Sequence, residues 1–149
     1  MRKSEKQEFS TFDINKLLDI RRERLREWMN HGFIMPTIPA DGIGSKAIFS
    51  ILDIYKIAVF KILIDAGMNR RKASIWVRES PKLGSHREAE KLAYIIVFEG
   101  KSGGRWESYI EPGPWNMEQE ITKNTDWDIG IMINFKRIRN QVKELVEEG

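Results

Sequence analysis

Two short amphipathic segments joined by a tight turn, within residues 13–46, constrain the fold of this chain more than any other feature. The apolar residues of both segments recur at helical spacing, and they are Ile14, Leu17 and Leu18 in the first and Leu25, Trp28 and Met29 in the second. Only three or four residues around Ile20 separate the two predicted helices. This pattern is typical of a helix-turn-helix, whose second helix enters the major groove of DNA.

The predicted second helix, residues 22–31, is rich in arginine. Four arginines fall within six residues, and they are Arg21, Arg22, Arg24 and Arg26. Guanidinium groups bind phosphates and the guanine edge, so these side chains are predicted DNA contacts. The alternative is a solvated helix face with intrahelical pairs such as Glu23 with Arg26. The turn that precedes the helix favours DNA contact.

A small β wing is predicted after the second helix. Asp41-Gly42 is a hairpin signal, so residues 37–39 and 46–49 are expected to pair as two short strands. Lys46 in this wing is either a phosphate contact or an ordinary surface residue. Trp28 is also retained as a candidate DNA contact, although its size favours a place in the core.

Two further helices are predicted beyond the wing. Ser50 and Asp53 form a capping-box pattern ahead of a long apolar helix over residues 51–66. The next helix, over residues 70–78, begins with two basic residues that could hold a phosphate together with the backbone N–H groups of its first turn. These two residues are Arg70 and Arg71.

The same region contains an ordered series of short motifs. They are Leu25-Arg26-Glu27-Trp28, then Gly32-Phe33-Ile34 and Pro36, then Lys46 and Phe49, then Ser50 with residues 51–66, Gly67 and residues 70–78. In order and spacing this series resembles the DNA-binding domain of the MerR family of transcriptional regulators, over about the first half of the chain. The resemblance implies a winged helix-turn-helix that binds double-stranded DNA, usually as a dimer on a two-fold site.

Charge is unevenly distributed along the chain. Residues 1–80 hold 15 Lys or Arg against 10 Asp or Glu, whereas residues 81–149 hold 10 against 12. The mild positive excess lies on the part with the predicted helix-turn-helix, as phosphate binding requires. The absence of cysteine excludes a disulfide framework and a thiolate metal site, and it disfavours the metal-sensing branch of the MerR family.

Beyond Pro81 the pattern changes. Residues 82–85 are predicted to be a linker between a DNA-binding domain at 1–80 and a small α+β dimerisation or effector region at 85–149. Three strands are predicted there, at residues 94–99, 105–111 and 129–133. The region also holds aromatic residues that either line an effector pocket or, as we favour, build the core of a small hairpin. They are Tyr94, Trp106, Tyr109, Trp115 and Trp127.

A final amphipathic helix is predicted after Asn134. Phe135, Ile138, Val142 and Leu145 recur along it at heptad-like spacing. A helix this short is marginal alone in water, so its apolar seam must pack on something. We expect the first two residues to pack within the chain and the last two to contact a second copy in a homodimer.

The expected fold class is α+β, with an N-terminal winged helix-turn-helix followed by a β-hairpin region and a C-terminal helix. The expected function is sequence-specific DNA binding by a cytoplasmic transcriptional regulator of bacterial or phage type. The alternatives are an architectural, excisionase-like recombination accessory protein and a protein-interaction adaptor. We expect no enzyme activity, cofactor, metal or membrane association, because His31 and His86 lack a second ligand at metal spacing and no apolar run is long enough to span a bilayer.

Overall fold

The computed structural model of this chain describes residues 8–42, 44, 46–101, 103–111, 116–123 and 125–148. Helices and a three-stranded antiparallel sheet together make a mixed α+β structure. The predicted α+β class is therefore confirmed.

In the first part of the chain the structure describes four helices. They are α1 (Thr11–Leu18), α2 (Arg22–Asn30), α3 (Ile51–Asp65) and α4 (Arg70–Glu79). At the start of α1, Ser10 Oγ accepts a hydrogen bond from Asp13 N at 3.2 Å, and the Asp13 carboxylate accepts one from Ser10 N at 2.8 Å. This capping box makes Ser10 the N-cap and starts α1 at Thr11. Ser50 and Asp53 form the predicted capping box of α3.

The turn between α1 and α2 is sharp. Asp19 adopts the left-handed conformation, with φ 50° and ψ 53°, which a short polar residue tolerates better than most. The Asn15 side-chain amide donates to Ile20 O at 3.0 Å, and the Ile20 side chain is only 3% exposed. The buried Ile20 thus fixes the angle at which α2 leaves the turn.

The predicted wing is represented by one antiparallel pair. Ile38 N donates to Ile48 O at 3.0 Å, and Ile48 N donates to Ile38 O at 2.8 Å. A second bridge joins Phe9 to Phe49 and ties the segment before α1 to the end of the wing. Ile43 and Ser45, in the predicted hairpin, lie outside the described residues.

In the second part of the chain, the described residues form the sheet and three more helices. In chain order the elements are a 3₁₀ turn (Pro81–Leu83), α5 (His86–Ala89), β1 (Leu92–Gly100), β2 (Gly103–Ile110), α6 (Met117–Lys123), β3 (Ile129–Asn134) and α7 (Phe135–Glu148). The strand order is β2-β1-β3, so β1 is central and pairs antiparallel with both neighbours. All three predicted strands are present. The short helix α6 was not predicted. The sequence Pro112-Gly113-Pro114 is typical of a loop, but these residues lie outside the described ones.

Residues from both parts of the chain share one apolar core. Tyr55 of α3 packs edge-on against Phe135 of α7, with ring centroids 5.3 Å apart. The predicted linker contains Leu83, which is fully buried. The division into a domain at residues 1–80 and a second region at residues 85–149 stays a prediction. One expectation for α7 is wrong: Val142 was placed at a partner surface, but it is only 2% exposed, whereas Leu145 is 42% exposed.

Candidate nucleic-acid interface

Helix α2 is anchored to the protein by one face. Leu25 is 1% exposed and Trp28 is fully buried. The Trp28 indole packs edge-on against Phe60 of α3, with ring centroids 5.0 Å apart. The expected core position of Trp28 is confirmed, and its burial removes it from the set of candidate DNA contacts.

Three of the four arginines at α2 lie at the surface. Arg21, Arg22 and Arg26 are exposed, and Arg22 and Arg26 are one helical turn apart and so lie on the same side of the helix. Within the described residues, none of these three guanidinium groups forms an ion pair with a carboxylate. Glu23 and Glu27 are exposed on the same helix, so the surface of α2 is arginine-rich but carries both signs of charge.

Arg24 differs from the other three arginines. Its Nη2 lies 2.9 Å from Asp65 Oδ1 at the end of α3, and its side chain is 30% exposed. Its guanidinium also lies over the Trp28 ring, 4.8 Å from the centroid. Arg24 therefore braces α2 against α3. The sequence grouped Arg24 with the DNA contacts because Asp65, its partner, is 41 residues further along the chain.

The wing is held close to α3 by one buried carboxylate. Asp53 is 9% exposed, and its Oδ2 accepts hydrogen bonds from Ser50 N and Thr37 N, both at 2.9 Å, and from Thr37 Oγ1 at 2.5 Å. The sequence predicted the capping box between Ser50 and Asp53 but not the hydrogen bonds from Thr37 to Asp53. Lys46 is exposed in the wing, next to the buried Ala47, so its ammonium group faces solvent from an anchored segment.

A groove of about 630 Å³ separates the end of α2 from the start of α4. Its walls include Glu27 and His31 on one side and Arg70 and Arg71 on the other. Both of these arginines are exposed. Arg24 lines the same groove, so the fold brings one arginine of the first predicted set beside Arg70 and Arg71, more than 40 residues away in sequence. His31, which stacks on Phe33 with ring centroids 5.5 Å apart, was not predicted as part of this surface.

Helix α4 also fixes the end of α2. Ser74 Oγ donates to Phe33 O at 2.6 Å, and Arg78 Nη2 donates to Gly32 O at 3.4 Å and to Ser74 Oγ at 3.2 Å. Gly32 has φ 72°, the left-handed conformation that commonly ends a helix. These contacts set the separation between α2 and the first turn of α4.

Two carboxyl groups with lowered pKa values, Glu88 and Glu111, do not line this groove. A hydrogen bond from Lys82 lowers the pKa of Glu88, and one from Lys136 lowers the pKa of Glu111. Among the residues that the structure describes, no three His, Cys, Asp or Glu side chains gather as metal ligands do. The described helices are each too short or too polar to cross a membrane. Neither a protein-family model nor a curated protein matches this chain.

Proposed function

We propose that this chain is a sequence-selective DNA-binding regulator of bacterial or phage type, with residues 9–79 acting as a winged helix-turn-helix similar to that of the MerR family. One observation carries the proposal. Helix α2 is locked to the core by Leu25 and Trp28 while Arg22 and Arg26 project from its exposed side. A rigid helix that presents unpaired guanidinium groups suits insertion into the major groove.

The size of α2 fits this role. An α-helix with its side chains is about 10–12 Å across. The major groove is about 12 Å wide and admits one helix, so the side chains on one side of α2 can reach successive base pairs. Arginine bidentate to guanine is the commonest specific contact of this kind, which makes Arg22 and Arg26 the proposed base-reading residues.

The remaining exposed cations suit the DNA backbone. Lys46 lies on the wing, and Arg70 and Arg71 open α4 across the groove from the end of α2. Contacts to phosphate fix the position of a protein on the duplex without reading its sequence. We therefore assign these three residues to phosphates on either side of the segment that α2 reads.

The two glutamates on α2 favour selectivity over tight non-specific binding. Glu23 and Glu27 are exposed beside the arginines. A carboxylate repels phosphate but accepts a hydrogen bond from the N4 amine of cytosine. The mixed charge of α2 thus weakens binding to arbitrary DNA and strengthens binding where a base can donate a hydrogen bond to a glutamate.

Selection from a random duplex pool tests the proposal. The wild-type chain should enrich a defined motif. Arg22→Ala should relax the preference at one position and cost about 1–3 kcal/mol, whereas Lys46→Ala should weaken binding to all sequences about equally. Arg87→Ala, which removes an exposed arginine from α5, is the matched control and should leave the selected motif unchanged.

Other outcomes would point to other functions. Strong bending of DNA without an enriched motif would indicate an architectural protein of the excisionase type. A folded chain that binds no duplex at low salt would exclude both DNA-binding functions and favour an adaptor that docks other proteins.

A further inference from the structure

Strand β3 forms an outer edge of the sheet. The strand order β2-β1-β3 gives it a single neighbour, β1. In an antiparallel strand, every second residue turns its backbone N–H and C=O away from that neighbour. Among the described residues, no backbone hydrogen bond joins the outer side of residues 129–133 to another segment. A row of backbone donors and acceptors is therefore available to a further strand.

The composition of β3 leaves this edge unprotected. Natural sheets usually guard their edges with charged residues or proline. The sequence of β3 is Ile-Gly-Ile-Met-Ile-Asn, with neither. The opposite edge, β2, carries Arg105 and Glu107, whose side chains form an ion pair at 3.4 Å. Only one of the two edges thus lacks the charges that oppose strand addition.

Apolar side chains flank the same edge on both faces of the sheet. Ile129 is 59% exposed and Met132 is 55% exposed. Ile129 is paired with Glu99, whereas Met132 is paired with Ile96, so the two side chains point to opposite faces of the sheet. An added strand would cover both side chains. Because the edge presents a row of backbone donors and acceptors, its partner is expected to be an extended segment.

We propose that the occupant is a second copy of this chain, whose β3 pairs antiparallel with the first. Antiparallel pairing of two identical strands is two-fold symmetric, so each copy supplies the same donors, acceptors and apolar side chains to the other. The result is one six-stranded sheet that runs through both copies. Neither strand brings a charge to the new ladder, so the pairing buries no unpaired ion. This interface replaces the one expected at Val142, and it does not depend on DNA binding.

Sedimentation of the full chain without DNA tests the proposal. The wild type should sediment as a dimer over a broad concentration range. The double variant Ile129→Lys with Met132→Lys adds the charges that guard natural edges and should sediment as a single chain with an unchanged circular dichroism spectrum. Ile110→Lys is the matched control, because Ile110 is 37% exposed at the end of the other edge strand, and this variant should remain a dimer.

Cross-linking gives a second readout that does not require the lysine variant to fold. The chain has no cysteine, so Met132→Cys introduces a single thiol near the proposed two-fold axis. A short bifunctional maleimide should join two Met132→Cys chains and leave Ile110→Cys chains separate. The proposal is overturned if the wild type is a monomer, if the double lysine variant folds and remains a dimer, or if the Met132→Cys chains do not cross-link in preference to the control. A monomeric wild type would leave the edge to a peptide of another protein.

Discussion

The salt dependence of DNA binding should distinguish two arginines that the sequence alone treats as equivalent. Arg71 is exposed at the groove between α2 and α4, whereas Arg24 is already paired with Asp65 at 2.9 Å. Arg71→Ala should therefore lower both the affinity and its dependence on salt. Arg24→Ala should leave the salt dependence nearly unchanged, because its guanidinium releases no counterion from DNA.

The number of phosphate contacts sets the size of the effect. The exposed cations assigned to phosphates are Lys46, Arg70 and Arg71. If each neutralises one phosphate, the slope of log K against log salt concentration is about −3 for each chain bound, and affinity falls roughly 40-fold between about 50 and 200 mM salt. Removing one contact should make the slope shallower by about 0.9.

Fluorescence anisotropy of a labelled duplex, titrated at several salt concentrations, measures these slopes. Arg87→Ala, on α5, provides a control for the general loss of one positive charge. Arg24→Ala should also be checked by thermal unfolding, because an exposed ion pair contributes about 0–1 kcal/mol to stability. The reasoning fails if Arg71→Ala has the wild-type slope, or if Arg24→Ala reduces the slope as much as Arg71→Ala does.

Two further predictions concern the support of the interface and the docking of α7. Asp53→Ala removes the acceptor of three hydrogen bonds and should destabilise the fold by roughly 2–4 kcal/mol in chemical unfolding. The control Asp13→Ala, in the other capping box, should cost about 1 kcal/mol. Hydrogen exchange at the Thr37 amide should be faster in the Asp53 variant, and unchanged protection of that amide would contradict the proposed hydrogen bonds between Asp53 and Thr37. Lys136→Met removes the hydrogen bond that lowers the pKa of Glu111, so an NMR titration should show that pKa rise. An unchanged Glu111 titration would refute the contact. Because a lowered pKa stabilises the fold only at pH values above it, the variant should lose less stability than the wild type on acidification.

The first part of the chain could be predicted from sequence because its decisive interactions are local. The capping box predicted at Ser50 and Asp53 joins residues three positions apart, as does the box at Ser10 and Asp13, which was not predicted. The turn at Ile20 depends on one buried side chain between two amphipathic helices. Short-range patterns of this kind determine where helices begin and end, so most predicted bounds lie close to those in the structure.

The features that the sequence did not predict depend on contacts between residues distant in sequence. Arg24 is paired because the end of α3 places Asp65 beside it. The periodicity of α7 showed which residues share a face but not what covers that face. Of the four seam residues, Phe135, Ile138 and Val142 pack in the core of their own chain, and only Leu145 stays exposed. The uncharged edge of β3 is therefore the better candidate for contact with a second copy, because its backbone groups can form the hydrogen bonds between the two chains.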